Sequence, residues 1–366
     1  MYMDRFRALA AVGCIVFVLS LVLIPFASAD WVMFRADTSH SGAGTGNSAL
    51  TPTLLWNYTT GNDVDSSPAI VNGVVYVGCG DDKVYALNAT IGTQVWNYTT
   101  GDVVIHSSPA VVNGVVYIGS TDDNVYALNA ANGTLIWSYT TGGAVWSSPA
   151  VVNNVVYIGS WDDNVYALNA ANGTLIWSYT TGDKVISSPA VVNGVVYVGS
   201  DDGNVYALNA VNGDKLWNYT TGNKVNSSPA VVNNVVYIGS ADDNVYALNA
   251  ANGTKIWSYT TDDEVGYSSP AIVNGVVYVG SWDNNVYALN ATNGGLIWSY
   301  TTGNEVNSSP AVVNGVVYVG SDDGNVYALG SYSTIPEFSG QLLGITLVVS
   351  MIIVLSAVII AKKRKT

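Results

Sequence analysis

A unit of about 40 residues recurs seven times between residues 53 and 330. Each copy has a tryptophan at a fixed place, and these tryptophans are spaced 40 or 41 residues apart. A Ser-Ser-Pro-Ala tract and a Val-Tyr-Ala-Leu tract recur seven times in step with them. A fixed period of this length indicates a repeat architecture, so one domain of stacked modules is expected. Because the modules are nearly identical, the positions at which they differ are the best candidates for a specific function.

Each repeat contains four β-rich runs separated by turn residues. In residues 147–182 the runs are SPAVV, VVYIGS, NVYALN and TLIWSYT, and most copies have Asn-Gly in the first turn. Asn-Gly between apolar runs is a strong hairpin signal, and four antiparallel strands per repeat are typical of a propeller blade. The sequence therefore predicts an all-β, seven-bladed β-propeller. We expect the segment Leu54 to Thr60 to pair with the last strand, Asn325 to Leu329, so that the N- and C-terminal strands close one blade.

A spaced pattern of alanine, asparagine, glycine and tryptophan marks the third and fourth runs. In one copy it is formed by Ala127, Asn129, Gly133 and Trp137. A glycine presents a bare peptide plane on which an indole can stack. The pattern closely resembles the tryptophan-docking motif of PQQ-like (quinoprotein-like) β-propellers, which usually have Asp and Thr where Asn129 and Asn132 stand. The resemblance covers the whole domain, and the blade-docking roles that it implies fall on Trp56, Trp96, Trp137, Trp177, Trp217, Trp257 and Trp298.

The same resemblance raises the question of a quinone cofactor. In the family's dehydrogenases this tricarboxylate is met by basic residues, a calcium site and a vicinal cysteine pair. Residues 53–330 contain no arginine, five lysines and no adjacent cysteines. Burying three carboxylates without paired cations is costly. We therefore expect the fold without the cofactor, and a PQQ-dependent dehydrogenase is only a second alternative.

Both ends of the chain carry membrane signals. Two arginines, an apolar run and Ala-Ser-Ala at residues 27–29 have the order of a secretory signal, although an uncleaved anchor is the alternative. Residues 341–361 are apolar and precede a Lys-Lys-Arg-Lys cluster, which predicts a membrane helix with a cytoplasmic basic end. The predicted organisation is a signal peptide (1–29), a lead-in segment (30–52), the propeller (53–330), a linker (331–340), a transmembrane helix (341–361) and a basic tail (362–366).

The linker contains Pro336-Glu337-Phe338. With the following helix and basic tail it resembles the archaeal PEF-type C-terminal sorting signal. That resemblance implies an archaeal source and lipid attachment after processing, whereas a plain single-pass anchor is the alternative. Either arrangement places the propeller at the extracellular face of the cell membrane.

Charge disfavours nucleic acid as a partner, and glycosylation motifs agree with an exterior location. Residues 30–340 contain 25 acidic and 6 basic residues, and such a surface repels nucleic acid. Asn-x-Ser/Thr sequons are accepted only on exported chains. Ten occur, at Asn57, Asn88, Asn97, Asn132, Asn172, Asn218, Asn226, Asn252, Asn290 and Asn307.

Recurring aspartate pairs precede the third run of most repeats. Asp122 and Asp123, and Asp162 and Asp163, are examples. They are either turn residues that keep this edge soluble or weak calcium sites, because carboxylates are hard oxygen ligands. The only histidines are His40 and His106, so neither a histidine metal site nor a catalytic triad is expected.

Two positions vary while their surroundings stay constant. The pre-serine position, directly before Ser-Ser-Pro, holds in order Asp65, His106, Trp146, Ile186, Asn226, Tyr267 and Asn307. The turn position, directly after Gly-Ser (Gly-Cys in the first copy), holds Gly80, Thr121, Trp161, Asp201, Ala241, Trp282 and Asp322. In a four-stranded blade both positions lie on one rim of the propeller.

Large aromatic residues at these two positions coincide in two blades. Exposed aromatic side chains on a polar rim are unusual unless a ligand stacks on them, although drift at tolerant loop positions is the alternative. The sequence thus favours a non-catalytic surface protein that binds envelope glycans or partner proteins, with a passive envelope scaffold as the alternative. The candidate ligand-binding residues are His106, Trp146, Trp161, Tyr267 and Trp282.

Overall fold

A computed structural model describes residues 34, 37, 54–313 and 315–330 of the chain. Within these residues there are 27 β-strands and no α-helix, and every paired strand is antiparallel to its neighbour. No helix in this part of the chain is long and apolar enough to cross a membrane. The predicted signal peptide, linker, transmembrane helix and basic tail all lie outside the described residues, as does nearly all of the lead-in segment.

The strands form seven consecutive sheets, one per repeat, each ordered from the innermost to the outermost strand as in the sequence. Blades 1 to 4 comprise β1 (Ala69–Val71), β2 (Val74–Cys79), β3 (Lys83–Asn88), β4 (Gln94–Thr99); β5 (Ala110–Val112), β6 (Val115–Gly119), β7 (Asn124–Asn129), β8 (Leu135–Thr140); β9 (Ala150–Val152), β10 (Val155–Gly159), β11 (Asn164–Asn169), β12 (Leu175–Thr180); and β13 (Ala190–Val192), β14 (Val195–Gly199), β15 (Asn204–Asn209), β16 (Lys215–Thr220). Blades 5 to 7 comprise β17 (Ala230–Val232), β18 (Val235–Gly239), β19 (Asn244–Asn249), β20 (Lys255–Thr260); β21 (Ala271–Val273), β22 (Val276–Gly280), β23 (Asn285–Asn290), β24 (Leu296–Thr301); and β25 (Ala311–Val313), β26 (Val316–Gly320), β27 (Val326–Leu329).

Turn residues explain where each strand ends. In blade 2, Asn113 and Gly114 both have positive φ, 52° and 77°, as a two-residue hairpin turn of the favoured hand requires. The next turn places Asp123 at φ 70°, a left-handed conformation that Asp, Asn and Gly tolerate. The third turn ends at Gly133, with φ 71°. The sequence of small polar residues therefore fixes three tight turns per blade.

The core lies between the blades. One cluster joins Val125 and Trp137 of blade 2 to Ile158 and Leu168 of blade 3, and equivalent clusters link the other neighbouring blades. The two middle strands of a blade are buried on both faces, whereas the outermost strand is mostly exposed. A single blade has no core of its own, so the stability of the domain depends on contacts between neighbours.

Serine residues join the innermost strands into a ladder. The Ser108 amide donates a hydrogen bond of 2.9 Å to Ser148 Oγ in the next blade, and the same bond recurs at every step from Ser67 to Ser309. Only a small side chain with an acceptor fits this position, which accounts for the recurring Ser-Ser-Pro-Ala tract. The ladder brings the residues just before it, at the pre-serine position, next to one another near the centre of the assembly.

The predicted closure of the seventh blade is not formed in the described residues. Six sheets have four strands, but the seventh contains only β25, β26 and β27. Residues 54–60 form no β-pairing with β27. Instead Trp56 and Tyr58 pack on blade 1, where the ring centroids of Tyr58 and Tyr85 are 5.6 Å apart. The side-chain packing of this segment thus matches that of an outermost strand against the following blade, without the backbone pairing.

Candidate functional site

The repeat tryptophans hold neighbouring blades together. Trp96 Nε1 donates to Ala130 O at 2.9 Å, and its ring lies so close to Gly133 that an added Cβ would be 2.7 Å from the indole. The structure gives this arrangement to Trp56, Trp96, Trp137, Trp177, Trp217 and Trp257. Trp298 is half-buried against blade 7, and the residue equivalent to its acceptor, Ser331, lies outside the described residues.

The first aspartate of the pairs at 122–123 and 162–163 is a structural residue, and Asp202 and Asp323 take its place in blades 4 and 7. Asp162 accepts hydrogen bonds from the Gly142 amide, the Tyr166 hydroxyl at 2.6 Å and the Asn164 amide at 3.1 Å. Asp122 makes the equivalent contacts in blade 2. The carboxylate therefore anchors the loop that enters its own blade from the preceding one, and the hydrogen bond to Asp162 is one of the reasons, after burial, why the pKa of Tyr166 is raised.

The residue after this structural aspartate meets a backbone requirement. Asp123 and Asp163 have φ of 70° and 69°, and Gly203, Asn284 and Gly324 take the same place in other blades. Because the first carboxylate is already held by protein donors, the weak calcium sites considered at Asp122, Asp123, Asp162 and Asp163 lack a set of free ligands. Within the described part of the chain, no three His, Cys, Asp or Glu side chains are grouped as metal ligands.

The two variable positions lie on one face of the domain. This face, here called the rim face, is formed by the loops that precede the innermost strands and by the turns between the second and third strands. In each blade the amide at the turn position donates to a carbonyl in the entering loop, as Trp161 does to Ala144 and Trp282 to Glu264, both at 2.9 Å. We call the residue that supplies this carbonyl the acceptor position. It is occupied by Asp63, Val103, Ala144, Lys184, Lys224, Glu264 and Glu305.

Charge is concentrated on the rim face. Of 22 Asp and Glu residues between 54 and 330, 21 lie in its loops and turns, and only Asp214 lies in a turn on the opposite face. Three of the five lysines in this range, Lys83, Lys184 and Lys224, belong to the rim face. The acidic character of the domain is therefore a property of one face.

Three of the predicted site residues are brought together near blade 3. The ring centroids of His106 and Trp146 are 4.5 Å apart, and those of Trp146 and Trp161 are 4.3 Å apart. Lys184 places Nζ 4.0 Å from the centroid of the Trp161 ring. The indole nitrogens of Trp146 and Trp161 are buried and have no hydrogen-bond partner among the described residues. In this cluster the aromatic faces are thus largely covered by one another and by an ammonium group of the protein itself.

His106 is held in a strained turn. Its φ is 65°, and the amide of Ser107 donates to Ile105 O at 2.8 Å, which is the i to i+2 bond of the rarer γ-turn. Partial burial lowers the pKa of its imidazole, and the Asp65 carboxylate opposes that shift. The entering loop of blade 2 is one residue longer than most.

The remaining two predicted residues form a separate pair in blade 6. Tyr267 and Trp282 are stacked with an interplanar angle of 21° and a centroid distance of 6.2 Å. The Trp282 indole N–H donates to Asn307 Oδ1, and Asn307 Nδ2 donates to Asp322 Oδ2 at 2.8 Å. Tyr267 is 44% exposed. This pair therefore offers an aromatic surface to solvent, and its tryptophan is held by the Asn307 side chain, which Asp322 holds in turn.

The sequence analysis did not identify two lysines that contact side chains of the rim face. Lys224 Nζ bonds to Asp201 Oδ2 at 2.9 Å, and this hydrogen bond raises the lysine pKa. The Asp201 side chain is only 4% exposed, and its Oδ1 has no partner among the described residues. An alignment of the acceptor position across the repeats could have found both lysines, since Lys184 and Lys224 are the only basic residues there.

The residues present do not fit the quinone cofactor of the dehydrogenases. Of the three rim lysines, Lys83 bonds to Asp81 at 3.1 Å, Lys224 bonds to Asp201, and Lys184 covers Trp161. The other two, Lys215 and Lys255, begin outermost strands far from the centre. Among the residues that the structure describes, no group of cations converges on a place where three carboxylates could be held.

A cavity of about 310 Å³ lies on the opposite face, between blades 2 and 3. It is lined by Val112, Tyr117, Ile136 and Val151 together with turn asparagines. Neither variable position contributes to it, and its lining residues recur in most other repeats. This cavity therefore has no feature that distinguishes one blade from another.

Comparison with solved structures places the fold among known propeller proteins. BamB from Moraxella catarrhalis is 22% identical with a TM-score of 0.67, and the match covers 76% of this chain and 88% of that one. A computationally designed protein is 17% identical with a TM-score of 0.66, covering 73% and 83%. The quinohemoprotein alcohol dehydrogenase from Pseudomonas putida is 15% identical with a TM-score of 0.58, covering 83% and 76%. At these identities the likeness concerns the fold alone.

Comparison with protein families gives two matches, whereas no curated protein matches the chain. The family described as outer membrane protein assembly factor BamB matches residues 263–334. The family described as beta-alanine-activating enzyme, beta-propeller, matches residues 28–276, which is more than half of the chain. The resemblance to PQQ-like propellers is thus confirmed at the level of the repeat and fold, and the chain belongs to the β-propeller family of the beta-alanine-activating enzyme.

Proposed function

We propose that this chain is a non-catalytic recognition module held at the extracellular face of the cell membrane by its C-terminal segment. Its rim face binds envelope glycans or partner proteins. The observation that carries the proposal is the coincidence of variation and aromatic side chains on that face. The variable residues His106, Trp146 and Trp161 contact one another, while the remainder of each repeat serves the serine ladder, the tryptophan contacts and the turns.

Strain at the rim supports the same proposal. A non-glycine residue in a strained turn costs of order 1–3 kcal/mol, and such residues cluster at functional sites. His106 is the pre-serine residue with positive φ, and it lies against the blade 3 cluster. A buried indole N–H without a partner costs a further ~1–3 kcal/mol. Such losses of stability are expected at residues that are selected for binding a ligand and not for stabilising the fold.

Similarity to BamB adds modest support for protein partners. That family is described as an outer membrane protein assembly factor, and residues 263–334 of this chain match it. The dehydrogenase alternative is disfavoured because the cations needed for its cofactor do not converge. A passive envelope scaffold is the other alternative. It is favoured by the exposed apolar side chains that recur on outermost strands, such as Leu135, Ile136 and Leu175, which are 45–47% exposed.

Retention of envelope components tests the proposal. Full-length protein in detergent micelles is immobilised and exposed to envelope glycans and solubilised surface proteins, with and without calcium. We expect a component that the wild type retains and the Trp161→Ala/Trp282→Ala double variant does not. The control is Tyr300→Ala, because Tyr300 is also 44% exposed but lies on an outermost strand. Equal retention by all three proteins would contradict rim recognition and favour the scaffold.

The proposed location has its own test. Intact cells are treated with a membrane-impermeant amine reagent, to which the exposed Lys224 of the rim face should react. Labelling of the chain only after the cells are broken would contradict an extracellular propeller.

A further inference from the structure

Two blades carry aromatic pairs at equivalent places in the repeat, but the residue at the acceptor position of the following blade differs. Blade 3 has Trp146 with Trp161, and blade 6 has Tyr267 with Trp282. The acceptor position of the following blade is Lys184 in the first case and Glu305 in the second. Both make the same backbone bond of 2.9 Å, from the Asp201 amide to Lys184 O and from the Asp322 amide to Glu305 O, so the two places are structurally equivalent.

In blade 3 the protein supplies its own cation. Lys184 Nζ lies 4.0 Å from the Trp161 ring centroid, within the range of a cation–π interaction. In blade 6 the equivalent residue is a carboxylate, and Tyr267 is 44% exposed. An aromatic pair therefore occurs at the same two sequence positions in both blades. In blade 3 the pair is tilted and covered by an internal ammonium group, and in blade 6 it is stacked, with an exposed tyrosine.

The surroundings of the open pair are strongly acidic. Glu264 Oε2 lies 3.5 Å from the place that a Cβ would take on Gly266, directly beside Tyr267. Burial raises the pKa of Glu264, the carboxylates of Asp263, Asp243 and Glu305 raise it further, and the ammonium group of Lys224 opposes the shift. Carboxylates crowded in this way repel one another, and a cation placed between them relieves that repulsion.

We propose that the Tyr267–Trp282 pair, together with Glu264 and Glu305, is a binding site for a lysine or arginine side chain from a basic segment of a partner protein. The inference rests on the proposed function, since it names the chemistry of a ligand for the same rim face. A protein segment is favoured over a single small cation because the 21 carboxylates of the rim face extend over all blades. Several positive charges on one extended chain would meet that surface, with one of them on the aromatic pair.

The test uses a ten-residue peptide of alternating lysine and glycine and the same peptide with every lysine acetylated. Binding to full-length protein in micelles is measured by fluorescence anisotropy at low and physiological salt. We expect the charged peptide to bind at least ten-fold more tightly than the acetylated one. We expect Tyr267→Ala to weaken that binding roughly 3- to 30-fold, the range of a partly desolvated cation–π contact, while Tyr300→Ala has no effect.

Two charge variants make the assignment specific. Glu305→Lys places an ammonium group at the acceptor position of blade 7, as Lys184 does in blade 4. The new lysine should cover the Tyr267–Trp282 pair and abolish peptide binding at this site. Lys184→Glu does the reverse, and should uncover Trp161 and raise the peptide stoichiometry from one site to two.

Each other outcome overturns the inference. Equal binding of charged and acetylated peptides, with loss in Tyr267→Ala, would refute a cation site but leave rim recognition intact. Charged-peptide binding that is unaffected by Tyr267→Ala and Glu305→Lys would reduce the effect to general attraction by the acidic face. Absence of peptide binding, from a protein that still retains envelope components through its rim, would refute the ligand chemistry alone. Absence of both would refute the proposed function as well.

Discussion

Two glycines in blade 2 separate the contribution of the docked tryptophan from that of the backbone. Gly133 and Gly114 have φ of 71° and 77°, so an alanine is strained at either place by about 1–2 kcal/mol. An added Cβ at Gly114 meets no atom within 4 Å, whereas at Gly133 it would lie 2.7 Å from Trp96 Cε3. Gly133→Ala must therefore displace an indole that is only 6% exposed, while Gly114→Ala leaves all packing in place.

The expected difference follows from what Trp96 loses. Complete removal of a buried tryptophan side chain costs about 3–5 kcal/mol, and partial displacement with loss of the Trp96 to Ala130 hydrogen bond should cost about 2–4 kcal/mol. Gly114→Ala is thus expected to lower the free energy of unfolding by about 1–2 kcal/mol, and Gly133→Ala by about 3–6 kcal/mol. Urea unfolding of the full-length protein in micelles, followed by tryptophan fluorescence, measures both. Losses that agree within about 0.5 kcal/mol would refute the role of tryptophan contacts in joining the blades.

Three further predictions concern the rim. Asp162→Asn should lower the free energy of unfolding by about 1.5–3 kcal/mol, because it weakens charge-assisted hydrogen bonds. Asp163→Asn should leave the free energy of unfolding unchanged, because Asn also tolerates positive φ. Urea unfolding of both variants measures the two values, and equal losses would contradict the assigned roles. Burial alone would raise the pKa of Asp202, yet hydrogen bonds lower it, and similar bonds bring the pKa of Asp81 to about 2. Their folded-state pKa values thus lie below the unfolded ones, so the stability they contribute is present above about pH 4 and is lost as pH falls towards 2; a stability that stays constant over that range would contradict the assignment. His106→Gly should be more stable than His106→Ala by up to about 1 kcal/mol, because only glycine relieves the turn, and equal melting temperatures would remove the argument from strain.

The repeat pattern was sufficient to predict the architecture because its period and turn residues leave few alternatives. Asn-Gly, Asp-Asp and Asn-Gly turns each require positive φ, and the structure places those residues there. Pairing of residues 54–60 with the last strand was expected from the strand count alone. Strand count says nothing about the geometry at the two ends, and the described seventh sheet has three strands.

The chemistry of the rim was only partly predictable. Variation identified His106, Trp146, Trp161, Tyr267 and Trp282 as the residues that differ, and the structure shows which of them touch. Whether an aromatic face is open or covered depends on a residue in the neighbouring blade, and a single repeat does not contain that information. The aspartates illustrate the same limit, because their hydrogen bonds reach the loop that arrives from the preceding blade.

Amide hydrogen exchange tests most directly whether recognition takes place at the rim face. Exchange of the full-length protein is compared with and without the envelope fraction that it retains. The account predicts slower exchange in the loops at residues 101–107, 141–147 and 262–268, and unchanged exchange in the turns of the opposite face such as Asn113-Gly114. Protection confined to the opposite face or to the outermost strands would contradict it.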